Sequence, residues 1–364
     1  MKRIFPIFAA TNTKNLRTEK KYMQRCLDLA VNGLGLTYPN PLVGCVIVHR
    51  GRIIGEGWHQ KAGEAHAEVH AINSVKDRSL LPESALYVNL EPCSHYGKTP
   101  PCADLILKSK IKRVVVGCLD VNEKVSGKGV EHLRDNGCEV VVGCMERECR
   151  ELNRRFFTCH EKKRPYVILK WAETRDGFVF PAEELASAGP AWISNRYSLQ
   201  RVHQWRGQEA SILVGNRTVL QDDPRLSVRD YAGNSLIRMV IDRNRKIPEH
   251  MSFFNGEIPT IVFNEKKDVD WQGVRFVKID FSGSVVQQVL EYLAGIEVQS
   301  LIVEGGPFTL QKFIESGLWD EARVFVGNME FGSGVKAPRL NLPPLKEEKV
   351  GGDRLIWYRN RKAK

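Results

Sequence analysis

Apolar positions recur at helical spacing between Thr18 and Gly33, where Tyr22, Cys26, Leu29 and Ala30 share one face and predict an opening helix. After Tyr38-Pro39-Asn40-Pro41, the stretch PLVGCVIVHRGRIIGEGWH holds two apolar runs around His49-Arg50-Gly51, the pattern of a β-hairpin. EAHAEVHAINSV then returns to helical spacing, ALYVNL reads as a strand, and PCADLILKSK opens a further helix. KRVVVGCLD, GVEHLRDNG and CEVVVG continue as strand, helix and strand. A charged stretch from Arg150 to Arg164 ends at Pro165, and the alternation then resumes. YVILKWA, SILVG, IRMVID, PTIVF, VRFVKI, SLIVEGG and ARVFVG read as strands; NRYSLQRVHQWR, SVVQQVLEYLAG and FTLQKFIESGL read as helices. Strands alternating with helices predict α/β layers in both halves. The domains expected are residues 18–160 and 165–364, after a loose extension over 1–17.

The length of 364 residues suits two cores. Hydrophobic residues at 42% and charged residues at 27% place the chain among ordinary globular proteins. No apolar run approaches the roughly 18 residues of a membrane span. The apolar patch near the N-terminus is short and broken by Pro6, so an export signal is not expected. Nine unevenly spread cysteines do not form a secreted disulfide framework, and a cytoplasmic location is expected. The net charge of +11 favours an anionic partner, either nucleic acid or a small phosphorylated ligand. Lysines and arginines are scattered and no basic patch is interleaved with aromatics, which argues against nucleic acid.

The chemistry concentrates in EPCSHYGKTPPC, where a proline precedes each of Cys93 and Cys102, and in His66-Ala67-Glu68 upstream. A histidine alone is more often a surface or core residue, and two cysteines alone are more often buried thiols. Together, one imidazole and two thiolates make a three-ligand zinc site whose fourth position stays open for water, as catalytic zinc requires. Such a metal brings the pKa of water close to neutrality. A helix turns about 100° per residue, so Glu68 does not share the face of His66 and suits a general acid/base rather than a fourth ligand. Pro92 and Pro101 fix φ ahead of the ligands, and Pro101 suits a helix entry. Cys102 is then expected at a helix N-terminus, where exposed N–H groups favour its thiolate. His-x-Glu followed by Pro-Cys…Cys is the zinc deaminase pattern. Its short form has two residues between the cysteines; this chain has eight.

With that spacer, and with Asn40 in PNP, VGCVIV and GEGWHQKAGEAHAEVHA, the sequence resembles the bifunctional deaminase/reductase family of riboflavin biosynthesis over nearly all of the chain after residue 18. The resemblance implies a cytidine-deaminase-like first domain and a dihydrofolate-reductase-like second domain. It implies a substrate, a 2,5-diamino-6-(ribosylamino)pyrimidinone bearing a 5′-phosphate, whose 2-amino group is exchanged for oxygen. NADPH then reduces the ribosyl group to a ribityl chain. By the same resemblance Asn40, His59, Lys98 and Thr99 contact the first substrate; Arg206, Leu226, Arg229 and Glu304 hold the second; and Ala172, Trp192, Thr218, Asp222 and Gly306 line the NADPH site. It also implies a homo-oligomer.

Bottom-up, the second half is less specific. Gly305-Gly306 between strand and helix lets backbone amides approach a phosphate, but a tight turn looks the same, and no GxGxxG pattern is present. Asp222-Asp223-Pro224 also suits a helix-ending turn. The chain departs from the family at Asp120-Val121-Asn122-Glu123, at Thr174-Arg175-Asp176-Gly177 and in a longer FVFPAEELASAGPA segment. Pro190 stands where a substrate-binding serine is expected, and Arg243 where a cofactor-contacting serine is common. Arg243 either meets the extra phosphate of NADPH or crowds the site. Three rivals stay open at this point: a deaminase whose second domain no longer reduces, a nucleic-acid base deaminase or RNA-binding protein, and a structural zinc module.

Overall fold

The computed structural model describes residues 13–94, 96, 100–121, 126–182, 192–228, 231 and 236–363, without the side chains of 13–16. The chain divides into two compact units, residues 1–161 and 162–364. The first runs α1 (Thr13–Ala30), β1 (Gly44–His49), β2 (Arg52–Trp58), α2 (Ala67–Ser74), β3 (Ala85–Leu90), α3 (Cys102–Lys108), β4 (Arg113–Cys118), α4 (Lys128–Asp135), β5 (Glu139–Val142), α5 (Glu146–Leu152) and α6 (Arg154–Lys162). Its five-stranded sheet has the order β2-β1-β3-β4-β5. The β1–β2 hairpin turns at Arg50 and Gly51, both at positive φ (46° and 78°), the turn that matches strand twist. β1 pairs antiparallel with β3, and β3, β4 and β5 are parallel. Tyr22, Cys26, Leu29 and Ala30 are buried, as their spacing predicts.

One expectation is corrected here, and one stretch that the sequence reading left unassigned proves helical. Residues 13–17, expected in a loose extension, are already helical. The charged stretch before Pro165 folds as α5 and α6, because Cys149, Phe156 and Phe157 recur at helical intervals and are buried against the sheet.

The second unit continues with β6 (Tyr166–Glu173), β7 (Phe178–Pro181), α7 (Arg196–Gln208), β8 (Ser211–Gly215), α8 (Asn216–Asp222), β9 (Ile237–Ile241), β10 (Thr260–Asn264), β11 (Val269–Trp271), β12 (Val274–Lys278), α9 (Val285–Gly295), β13 (Ser300–Val303), α10 (Pro307–Ser316), β14 (Glu321–Val326), β15 (Gly334–Lys336), β16 (Lys346–Val350) and β17 (Asp353–Arg359). Ten strands form one sheet in the order β11-β12-β10-β9-β8-β13-β6-β14-β17-β16. From β12 to β14 the neighbours are parallel, and both edges are antiparallel. Separate apolar clusters cover the two faces of this sheet, as a largely parallel sheet requires. The loops that follow β8, β9 and β13 therefore emerge together at the carboxyl edge, where open α/β sheets bind ligands.

Candidate functional site

In the first unit His66 is the residue just before α2, Glu68 lies in its first turn, and Cys102 opens α3. His66 Nδ1 is 3.3 Å from Cys102 Sγ and 3.6 Å from Cys93 Sγ. All three donor atoms lie within 4.8 Å of one another, and among the described residues no other such cluster of metal-ligating side chains occurs. The Cys102 thiol donates to Cys93 and so, against burial and with help from His66, lowers the Cys93 pKa to about 4. His66 is raised chiefly by its hydrogen bond with Cys93. One imidazole, one thiolate and one thiol whose proton a cation displaces fit zinc in both softness and number.

The helix N-terminus acts differently from the expectation. The Cys102 amide, the first of α3, donates to Cys93 Sγ at 3.3 Å, so the helix end stabilises the other thiolate. Cys102 itself is raised, first by Cys93 and then by burial.

Glu68 is 3% exposed, and burial, then the Cys93 thiolate, raise its pKa to about 7. Beside it, the His59 and His66 rings meet edge to face with centroids 5.5 Å apart. His59 Nδ1 lies 3.1 Å from the Ala65 carbonyl, which only accepts, so Nδ1 carries the proton. Nε2 then accepts from Asn40 Nδ2 at 3.0 Å. Burial lowers the His59 pKa, consistent with a neutral ring. The backbone after Asn40 is pinned by two buried amides. Asn153 bonds both the N–H and the C=O of Leu42, and Asn89 bonds Leu42 O and Gly44 N.

Sequence reasoning missed Glu91, two residues before Cys93. Its buried carboxylate accepts from the amides of Asp120, Gly127, Gly129 and Val130 at 2.9–3.2 Å. It thereby caps α4, whose N-cap residue, Gly127, provides no side chain. A Cβ at Gly129 would lie 2.0 Å from Pro92 O, so only glycine lets α4 approach the ligand loop. Glu91→Ala is expected to lower stability by at least about 3 kcal/mol, because four amides lose a charged acceptor. Glu91→Gln keeps one acceptor oxygen and is expected to weaken zinc binding about 10–100-fold. Chelator competition checks this, and unchanged zinc affinity in Glu91→Gln would remove Glu91 from the positioning of Cys93.

In the second unit Glu304 follows β13 and pairs with Arg206 of α7 through both oxygens, at 3.1 and 2.6 Å. Lys170 Nζ on β6 lies 3.8 Å from the same carboxylate. Burial lowers the Lys170 pKa. Within YVILKWA this lysine has no signal beyond being polar in an apolar strand, and sequence reasoning passed over it. Ala172 lies on the same face of β6.

Gly305 and Gly306 follow Glu304. A Cβ on Gly305 would come within 2.8 Å of Val214 and 3.1 Å of Thr218 Oγ1, and Gly306 has φ 56° at the start of α10. This bare backbone cradle next to Thr218 fits the phosphates of a dinucleotide. Trp192 is 67% exposed and Asp222 ends α8 at the surface. Leu226, at φ 51°, has its side chain in the core. Asp223 accepts from Ser252 N and Oγ, which makes it a turn residue. Lys98, Thr99, Pro190 and Arg229 lie outside the described residues. No described helix is long and apolar enough to cross a membrane.

Comparison with known proteins finds relatives for both units. Residues 16–118 match the family described as the cytidine and deoxycytidylate deaminase zinc-binding region, and residues 165–348 match the RibD C-terminal domain. The riboflavin biosynthesis protein RibD of Aquifex aeolicus is 39% identical over 94% of this chain and 98% of its own. That of Escherichia coli is 36% identical over 90% and 92%. A crystal structure from Thermotoga maritima, described as a diaminohydroxyphosphoribosylaminopyrimidine deaminase/5-amino-6-(5-phosphoribosylamino)uracil reductase, superimposes with a TM-score of 0.85 at 34% identity, covering 95% of this chain and 99% of that one. An Acinetobacter baumannii RibD structure gives 0.84 at 31% identity, covering 94% and 99%. Carrying both domains over nearly its whole length, the chain belongs to the RibD family of bifunctional deaminase/reductases of riboflavin biosynthesis.

Proposed function

We propose that residues 18–160 deaminate 2,5-diamino-6-(5-phosphoribosylamino)pyrimidin-4(3H)-one and that residues 165–364 reduce the ribosyl group of the product. The observation that carries this reading is the convergence of His66, Cys93 and Cys102 beside the buried Glu68 carboxylate. The enzyme uses zinc and NADPH, and it acts on a small phosphorylated pyrimidine. His66, Cys93 and Cys102 hold the zinc, which supplies a Lewis acid that acidifies water near neutral pH. Glu68 would take one proton from the attacking water and pass it to the ring nitrogen, then take the proton of the newly added hydroxyl and deliver it to the amine, which leaves as ammonia while the carbonyl forms. The neutral His59 fixes the Asn40 amide, and the pair orients the pyrimidine.

In the second unit NADPH supplies the hydride. Gly306 and Thr218 hold its phosphates. Arg206 and Lys170, kept in place by Glu304, face the phosphorylated ribosyl group as it opens at C1′. Homo-oligomeric assembly and a cytoplasmic location belong to the same proposal; light scattering on the purified enzyme tests the first.

The decisive experiment follows ammonia and NADPH absorbance together on the purified chain. Ammonia release followed by an equal loss of NADPH is expected. Ammonia with constant NADPH would leave only the first half of the proposal standing, and neither signal with zinc bound would refute the substrate.

A further inference from the structure

A cavity of about 680 Å³ has in its lining Gly215, the neighbour of the Gly305 carbonyl. Gly215 and Thr309 both line it, and a Cβ on Gly215 would fall 2.8 Å from Thr309 Oγ1 and 3.8 Å from O of Gly305 in the Gly305-Gly306 turn. A dinucleotide lying over the two glycines would have this space within reach of one end. Phe281 and Phe308 give the cavity flat apolar walls that suit a purine. Its two cationic lining residues are each tied to a carboxylate. Arg243 Nε meets Glu265 Oε2 at 2.7 Å, and Lys312 Nζ meets Glu315 Oε2 at 3.0 Å.

The two cations are not equivalent. Lys312, whose Nζ lies 5.7 Å from the Phe308 ring centroid, is a flexible point charge in an i,i+3 surface pair. Arg243 sits on a pinned loop. The preceding Asp242 accepts from Asn216 Nδ2 at 3.3 Å and Ile247 N at 3.0 Å, and Arg243 O accepts from Glu265 N at 3.1 Å. Its guanidinium lies 5.5 Å from the centroid of Phe281. The bond to Glu265 uses one of five N–H donors, which leaves the planar fork for a phosphate.

We infer that Arg243 is the residue that selects the 2′-phosphorylated dinucleotide, exchanging part of its pairing with Glu265 for the 2′-phosphate while Phe281 supports the adenine. The inference rests on the reading that the second unit binds NADPH, and it resolves the choice between contact and crowding at this position in favour of contact.

Calorimetric titration of the full chain with adenosine 2′,5′-bisphosphate and with 5′-AMP tests it without turnover. The wild-type protein is expected to prefer the bisphosphate by at least about tenfold. Arg243→Ser is expected to remove most of that preference, with the affinity for 5′-AMP changed less than about twofold. Glu265→Gln, which frees the guanidinium, is expected to increase the preference. NADP⁺ and NAD⁺ follow the same order. If Arg243→Ser weakens both nucleotides equally, or if Lys312→Ala alone removes the preference, the assignment to Arg243 is overturned while NADPH binding stands. If neither NADP⁺ nor the bisphosphate binds the wild-type protein, the cofactor reading of the second unit fails with it.

Discussion

Glu68→Gln is expected to retain zinc and to release ammonia about 10²–10⁴-fold more slowly than the wild-type enzyme, the usual contribution of a positioned acid/base. Glutamine preserves the side-chain shape in a buried position, so packing around α2 is conserved. It cannot accept and return a proton. NADPH oxidation by the second unit, supplied with already deaminated substrate, is expected to proceed at the wild-type rate. Metal analysis separates this from a ligand variant: Cys93→Ala loses zinc together with ammonia release, whereas Glu68→Gln loses only the latter. A zinc-replete Glu68→Gln enzyme with normal turnover would falsify the acid/base role. It would favour a structural zinc module.

The second large effect is expected at Glu304. Burial pushes its carboxyl upward, but the charges of Arg206 and Lys170 outweigh burial and hold its pKa at about 2, below the ordinary value of 4.5. The folded pKa is depressed, so the stabilisation is fully present above the unfolded value and is lost as pH falls towards the folded one. The shift corresponds to roughly 3 kcal/mol. The wild-type second unit is therefore expected to lose about this much stability between pH 5 and pH 2 through this group. Glu304→Gln leaves two buried cations without a carboxylate and is expected to cost about 3–5 kcal/mol at neutral pH. It also flattens that part of the acid dependence and abolishes NADPH oxidation. Ammonia release, which depends on the other unit, is expected to persist. Denaturant unfolding of wild type and variant across this pH range provides the check; equal stabilities at pH 7 would contradict the assigned role of the Arg206–Glu304–Lys170 cluster.

The metal site was legible because its chemistry is carried by few residue types at characteristic spacing. His66, Glu68, Cys93 and Cys102 all come together in the fold. The strands and helices of both sheets were legible for a related reason, since buried faces impose periodicity on the chain. β11, β16 and β17 escaped notice: in β17, DRLIWYR mixes charges into an apolar run, and its arginines find tertiary partners, Glu347 for Arg354 and the Tyr166 hydroxyl for Arg359.

From sequence alone came the two-domain α/β organisation, the three candidate metal ligands, the carboxylate proposed as acid/base and, through resemblance, the reaction class. Only the tertiary structure decided how these groups are supported. The helix that begins at Cys102 donates its first amide to Cys93, and Glu91 reaches across the fold to four amides. Lys170 joins a glutamate more than a hundred residues away. Spacing along a chain encodes which groups share a face of one element. Which distant donor meets which acceptor, and therefore which thiol, carboxylate or lysine has its pKa moved, depends on burial and on partners that only packing brings within a few ångströms.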